Sequence, residues 1–232
     1  MIKIAFIALT VTMSLLVYTG ISKAARAVPQ HARRIRTATL LFLLGWLAYV
    51  SAISLAGLLQ TTALPPRIPT MLILPLFTFL FWLVSRKRSR PVIDAIPAAW
   101  LVYAQCFRIV VEVLLHALYK QGLLPRMGTY EGYNFEIVIG ITALLVGYLG
   151  YTRRTLPRAI LLLWNICGLA TLATVVFILI THAYFPGIYA HPEPMSIAAF
   201  GAFPYTLLAG MLMPLAVFMH VVSIKKLLGQ PA

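Results

Sequence analysis

Residues 100–118 read Trp-Leu-Val-Tyr-Ala-Gln-Cys-Phe-Arg-Ile-Val-Val-Glu-Val-Leu-Leu-His-Ala-Leu. The run is apolar enough for a membrane helix, yet its polar residues keep helical spacing. Arg108, Glu112 and His116 recur every four residues, and Gln105 lies three before Arg108. At helical pitch they share one face. Ionisable groups are costly in hydrocarbon, so that stripe must face protein or trapped water rather than lipid. Glu112 is the only acidic residue that the pattern puts deep in a span.

The rest of the chain has the same character. It is 61% hydrophobic and only 10% charged, whereas soluble domains carry about 25% charged residues. A hydrocarbon core asks for about 20 apolar residues per helix. Seven segments qualify, at 4–22, 39–60, 70–85, 98–119, 135–151, 159–183 and 202–224. The expectation is an all-α bundle of seven transmembrane helices, forming one integral membrane domain over 1–232. The third segment is short, because Pro65, Pro66 and Pro69 forbid an earlier helix. No alternating apolar-polar pattern suggests a β-barrel.

The net charge of +14 is clustered. Alternate loops collect Lys23, Arg26, Arg33, Arg34 and Arg36, then Arg86, Lys87, Arg88 and Arg90, then Arg153, Arg154 and Arg158, and finally Lys225 and Lys226. The other side holds only Lys3, Arg67, Lys120 and Arg126. The positive-inside rule then puts the N-terminus outside and the C-terminus inside. The inner basic collar fits anionic lipid headgroups. Clustering at loops argues against nucleic-acid binding, and no zinc-finger, RRM or P-loop signature is present. Lys3, the apolar run and Ala-Ala-Arg-Ala at 24–27 resemble a signal peptide, but about 18 apolar residues exceed the usual h-region. The segment is read as a retained first helix.

In this topology the carboxylates and imidazoles gather on the outer side: Glu112, His116, Glu131, Glu136, His182 and His191. Residues 128–136, Gly-Thr-Tyr-Glu-Gly-Tyr-Asn-Phe-Glu, are unusually polar for this chain. Asn134 suits a helix N-cap, with Glu136 in the first turn favoured by the dipole. The alternative is a loop folded over a pocket, bringing Glu131 or Glu136 near Arg108 or His116. The ligand-binding candidates are therefore Gln105, Arg108, Glu112, His116, Glu131, Asn134, Glu136 and His182. Arg108 and Glu112 are expected either to pair or to line a pocket. A metal is not assigned, since one E-x-x-x-H spacing is weak; no cofactor is assigned either. His220 and Asn165 are read as interhelical hydrogen-bonding groups. Cys106 and Cys167 are read as small buried apolar residues. Pro75, Pro204 and Pro214 fall within spans and should kink them, freeing carbonyls. No lysine lies within a span, which disfavours a retinal pigment.

The stretch from Arg108 to Lys226 resembles an uncharacterised family of small multi-pass bacterial integral membrane proteins. The likeness rests on Arg-Ile-Val-Val-Glu at 108–112, Leu-Pro-Arg-Met-Gly-Thr-Tyr-Glu-Gly-Tyr-Asn-Phe-Glu at 124–136, Gly-Ile-Thr-Ala at 140–143 and Leu-Trp-Asn at 163–165. It covers about half the chain. Where Glu136 stands the family usually has Asp, which keeps the charge. The resemblance implies a bacterial membrane protein and transfers no activity; the expected location is the inner membrane.

Three functions compete. In the first, an outward-facing polar pocket binds a small or amphipathic ligand for sensing or transport. Arg108 anchors an anionic group, Glu112 orients the ligand or carries a proton, and His116 responds to pH. In the second, the chain is a non-catalytic subunit of a membrane complex, or a homo-oligomer. The third is an intramembrane enzyme acting on a lipid or isoprenoid, with Glu112 or His116 as base. No G-x-S-x-G nucleophile motif supports it.

Overall fold

The computed structural model describes residues 1–229. The chain is 79% helical, with no strand among the described residues. Among the described residues, five helices are long and apolar enough to cross a membrane: α1 (Ile2–Ala27), α2 (Pro29–Leu55), α5 (Ala98–Lys120), α7 (Arg158–Tyr184) and α8 (Leu208–Leu228). Helices α3 (Pro69–Ser85) and α4 (Lys87–Ala95) meet at 76° and make a sixth candidate only if taken as one broken span. Helix α6 (Glu136–Thr152) is apolar but shorter. At 1.5 Å per residue it is about 26 Å long, just under the ~30 Å hydrocarbon core. By length and composition the count is thus five or six.

Helix boundaries follow local chemistry. Helix α2 begins ten residues before the expected 39, so Arg33, Arg34 and Arg36 lie in its first turns and not in a loop. Arginine is a good helix former, and a helix need not stop where hydrocarbon stops. It ends at Leu55, followed by Gly57 in the left-handed region at φ 71°. Pro69 occupies the first turn of α3, where its missing N–H costs nothing. The last span starts at Leu208 rather than at 202, because residues 201–205 form turns around Pro204.

Two prolines inside helices decide how α2 is used. Pro75 and Pro214 each come after a π-type turn, at Pro69–Ile73 and Leu208–Leu212. A proline cannot donate to the carbonyl four residues back. Those carbonyls belong to Met71 and Gly210. Tyr49 Oη donates to Met71 O at 3.1 Å, and Trp46 Nε1 donates to Gly210 O at 2.6 Å. One turn of α2 thereby satisfies both proline-freed acceptors, which in an apolar setting would otherwise go unpaired.

Helix α8 is the centre of the bundle. Of its apolar window 72% is buried, against 22% for α1 and for α2. It packs on α7 and on the start of α5, while α6 packs on α5. At the basic end, Lys225 Nζ donates to Val84 O at 2.6 Å and Lys226 Nζ to Asp94 O at 2.7 Å. Both acceptors lie in the last turns of α3 and α4, where carbonyls are spare and the dipole favours cations. The cysteines are not buried: Cys106 is intermediate and Cys167 exposed, both free. Their helix faces point outward, where a thiol still counts as apolar.

Candidate functional site

Arg108 lies 1% exposed in the middle of the bundle and reaches three other helices. Its Nε donates to Glu136 Oε2 on α6 at 3.3 Å, and its Nη2 sits 3.1 Å from Glu136 Oε1. Nη2 also donates to Thr171 Oγ1 at 2.9 Å and Gly168 O at 3.4 Å on α7. Nη1 meets His220 Nε2 on α8 at 3.0 Å. A guanidinium only donates, so His220 Nε2 accepts and Nδ1–H donates to Asn165 Oδ1 at 2.9 Å. Asn165 Nδ2 then donates to Leu161 O. One chain of partners thus ties α5, α6, α7 and α8 together. Gly168 makes it possible: a β-carbon there would lie 2.3 Å from the His220 ring.

Glu112 does not pair with Arg108 in the way an i, i+4 ion pair would. Its Oε1 accepts from Asn134 Nδ2 at 2.6 Å, and its Oε2 is buried with no hydrogen-bond partner among the described residues. Asn134 is fully used, since it also donates to Gly128 O and accepts from the Glu136 backbone N–H through Oδ1. It therefore aims the first turn of α6, and with it the Glu136 carboxylate, at Arg108. Gly132 lets the loop close, as a β-carbon would come within 2.5 Å of Met127 Cα. Gln105 Nε2 donates to Ala216 O on α8 at 3.1 Å, and its Oε1 has no hydrogen-bond partner among the described residues.

The His116 end of the stripe is separate and more exposed. His116 Nε2 lies 2.6 Å from Glu131 Oε1, and Lys120 Nζ lies 3.3 Å from the same oxygen. Tyr130 stacks on the His116 ring at 4.6 Å between centroids. Hydrogen bonds from His116, and then Lys120, hold the Glu131 carboxyl below its usual range. His182 joins neither group. It is buried, with Nδ1 bonded to Ile178 O and its ring 3.9 Å from Tyr189.

A cleft runs from the buried ion pair between α3, α5, α7 and α8. Its walls are apolar, with Phe107, Val111, Leu172, Val175, Leu208 and Leu212 among them, and its charged lining residues are Arg108 and Glu136. Its water-accessible space is about 60 Å³, room for about two waters at their liquid volume of ~30 Å³ each. Of the eight candidates, Arg108 and Glu136 line this cleft. Gln105, Glu112 and Asn134 support them from behind, and His116 and Glu131 form a separate contact between α5 and the loop before α6. Sequence reasoning missed Thr171 and Gly168. The signal was Asn165-x-x-Gly168-x-x-Thr171, small and polar residues recurring every three on one helix. No three His, Cys, Asp or Glu side chains converge among the described residues.

No family model, no curated protein and no solved structure matches this chain.

Proposed function

We propose that this protein spans a bacterial inner membrane seven times, N-terminus outside and C-terminus inside, and binds a small or amphipathic ligand in the cleft at Arg108–Glu136. Sensing and transport are the roles that such a site serves. The observation that carries this reading is an apolar slot with a buried ion pair at its wall. A cleft with few, convergent polar groups is the usual form of a ligand site. The seven-span topology draws on the basic residues, which alternate by loop and in α8 cap the ends of α3 and α4. It also counts α6 and the bent α3–α4 pair as one span each. The inner collar then meets anionic headgroups.

Ligands that bind the folded form raise its melting temperature by mass action. Ala209 lines the cleft. Single-chain amphiphiles of about ten carbons should therefore stabilise the wild type in mild detergent, and stabilise Ala209→Leu much less. Equal stabilisation of both proteins would refute the cleft as the binding site.

A further inference from the structure

The polar end of the cleft tells which head group it accepts, taking the cleft as the ligand site just proposed. Every guanidinium nitrogen of Arg108 is already engaged, by Glu136, His220, Thr171 and Gly168 O. Its charge is matched by the Glu136 carboxylate at 3.1 Å. Four of the five guanidinium N–H groups are thereby taken, and an incoming carboxylate or phosphate would meet a resident anion of its own sign. The wall also carries a spare acceptor. Glu136 Oε1 is buried and has no hydrogen-bond partner among the described residues, although it lies close to Arg108 Nη2. Glu136 is 4% exposed and lines the cleft. A buried acceptor without a donor costs free energy, which a donor in the right place recovers.

The apolar end tells what kind of tail the head group carries. A second groove, between α3, α7 and α8, shares Ile73, Leu172, Val176 and Met213 with the first, and Phe77, Phe177 and Val217 carry its apolar wall onward. Its water-accessible space is about 420 Å³. Phe177 is 60% exposed, so this groove opens on the outer surface of the helices. A chain whose head reaches Glu136 can run out along a continuous apolar path toward lipid.

We infer that the cleft takes a neutral, hydroxyl-bearing hydrophobe, a long-chain or isoprenoid alcohol, whose O–H donates to Glu136 Oε1 while its chain leaves between α3 and α7. Arg108 serves to hold that carboxylate in place rather than to grip an anion. No covalent step is involved.

The test uses the full chain in mild detergent and native mass spectrometry. The probes are decan-1-ol, decyl methyl ether and decanoate at equal micellar concentration, offered to the wild type, Ala183→Leu and Ala209→Leu. Ala183 and Ala209 line the cleft on different helices, so one misfolded variant does not end the test. The alcohol should be retained about tenfold more than the ether, a ratio worth ~1.4 kcal/mol, and more than decanoate. The leucine variants should retain little of any probe. Equal retention of alcohol and ether, or preference for decanoate, overturns this inference and leaves the cleft standing as a site for amphiphiles. Retention of no probe, or retention that both leucine variants keep, overturns the cleft itself.

Discussion

Arg108 is the residue on which the interior turns, and its energetics are those of a buried pair. Desolvating two charges is costly, so the Arg108–Glu136 contact is a poor source of net stability, but removing one partner strands the other. Glu136→Gln should lower stability by about 3 kcal/mol in thermal unfolding, and Arg108→Gln by a similar amount. A change below about 1 kcal/mol would mean that water reaches the pair. Gly168→Ala sets two effects against each other. Helix propensity favours alanine by about 1 kcal/mol, but the added carbon would meet the His220 ring at 2.3 Å. Overpacking of that kind costs about 1–3 kcal/mol, so the variant should melt lower; a higher melting temperature would show that His220 has room to move. The sequence made the polar stripe legible through its four-residue period. It could not say that Arg108 turns to Glu136 across helices instead of to Glu112 one turn away. That choice is made by Asn134, which occupies Glu112 and aims Glu136, and only the fold brings those groups together.

Two of the three prolines expected within spans, Pro75 and Pro214, lie in helices, whereas Pro204 lies in a turn before α8, and one device was not revealed by spacing alone. Pro75 and Pro214 free carbonyls as their positions within spans predict, and α2 answers both with Tyr49 and Trp46. Trp46→Phe should cost about 1 kcal/mol, the usual size of one hydrogen bond, and Tyr49→Phe about the same or less, since Tyr49 is more exposed. Thermal unfolding of each single variant and of the double measures this; no loss in the double variant would mean that water already satisfies these carbonyls. Apolar length made the long helices legible, and helical ends less so, because α2 runs past its apolar stretch into Arg33–Arg36. The loop over 121–135 carries a pH dependence of known sign. The folded-state carboxyl of Glu131 is held below its ordinary value of 4.5 by His116 and Lys120. Its contribution is therefore present above about pH 4.5 and is lost as pH falls through the lower folded value. Hydrogen-exchange protection of Gly132 and Tyr133 should fall on acidification below about pH 4.5 in the wild type, with a smaller step in Glu131→Gln. An identical step in both proteins would assign the change to other groups.

At the scale of the whole molecule, a topology and a cleft remain to be tested. Topology rests on the basic loops, so it is probed from outside the cell. In a Cys106→Ser, Cys167→Ser background, His191→Cys should react with a membrane-impermeant thiol reagent on intact cells, and Arg88→Cys only after permeabilisation. The reverse pattern would invert the chain. The cleft was not legible as a shape, since its apolar walls come from α3, α5, α7 and α8 and meet only when those helices pack. What could be read was its polar end. The most direct measurement is native mass spectrometry of the protein as first recovered in mild detergent, wild type beside Ala183→Leu and Ala209→Leu. A discrete small mass carried by the wild type and lost from both variants is the expected result. No such mass, or one that both variants keep, would contradict a ligand-binding cleft and leave Arg108–Glu136 as a tie between helices.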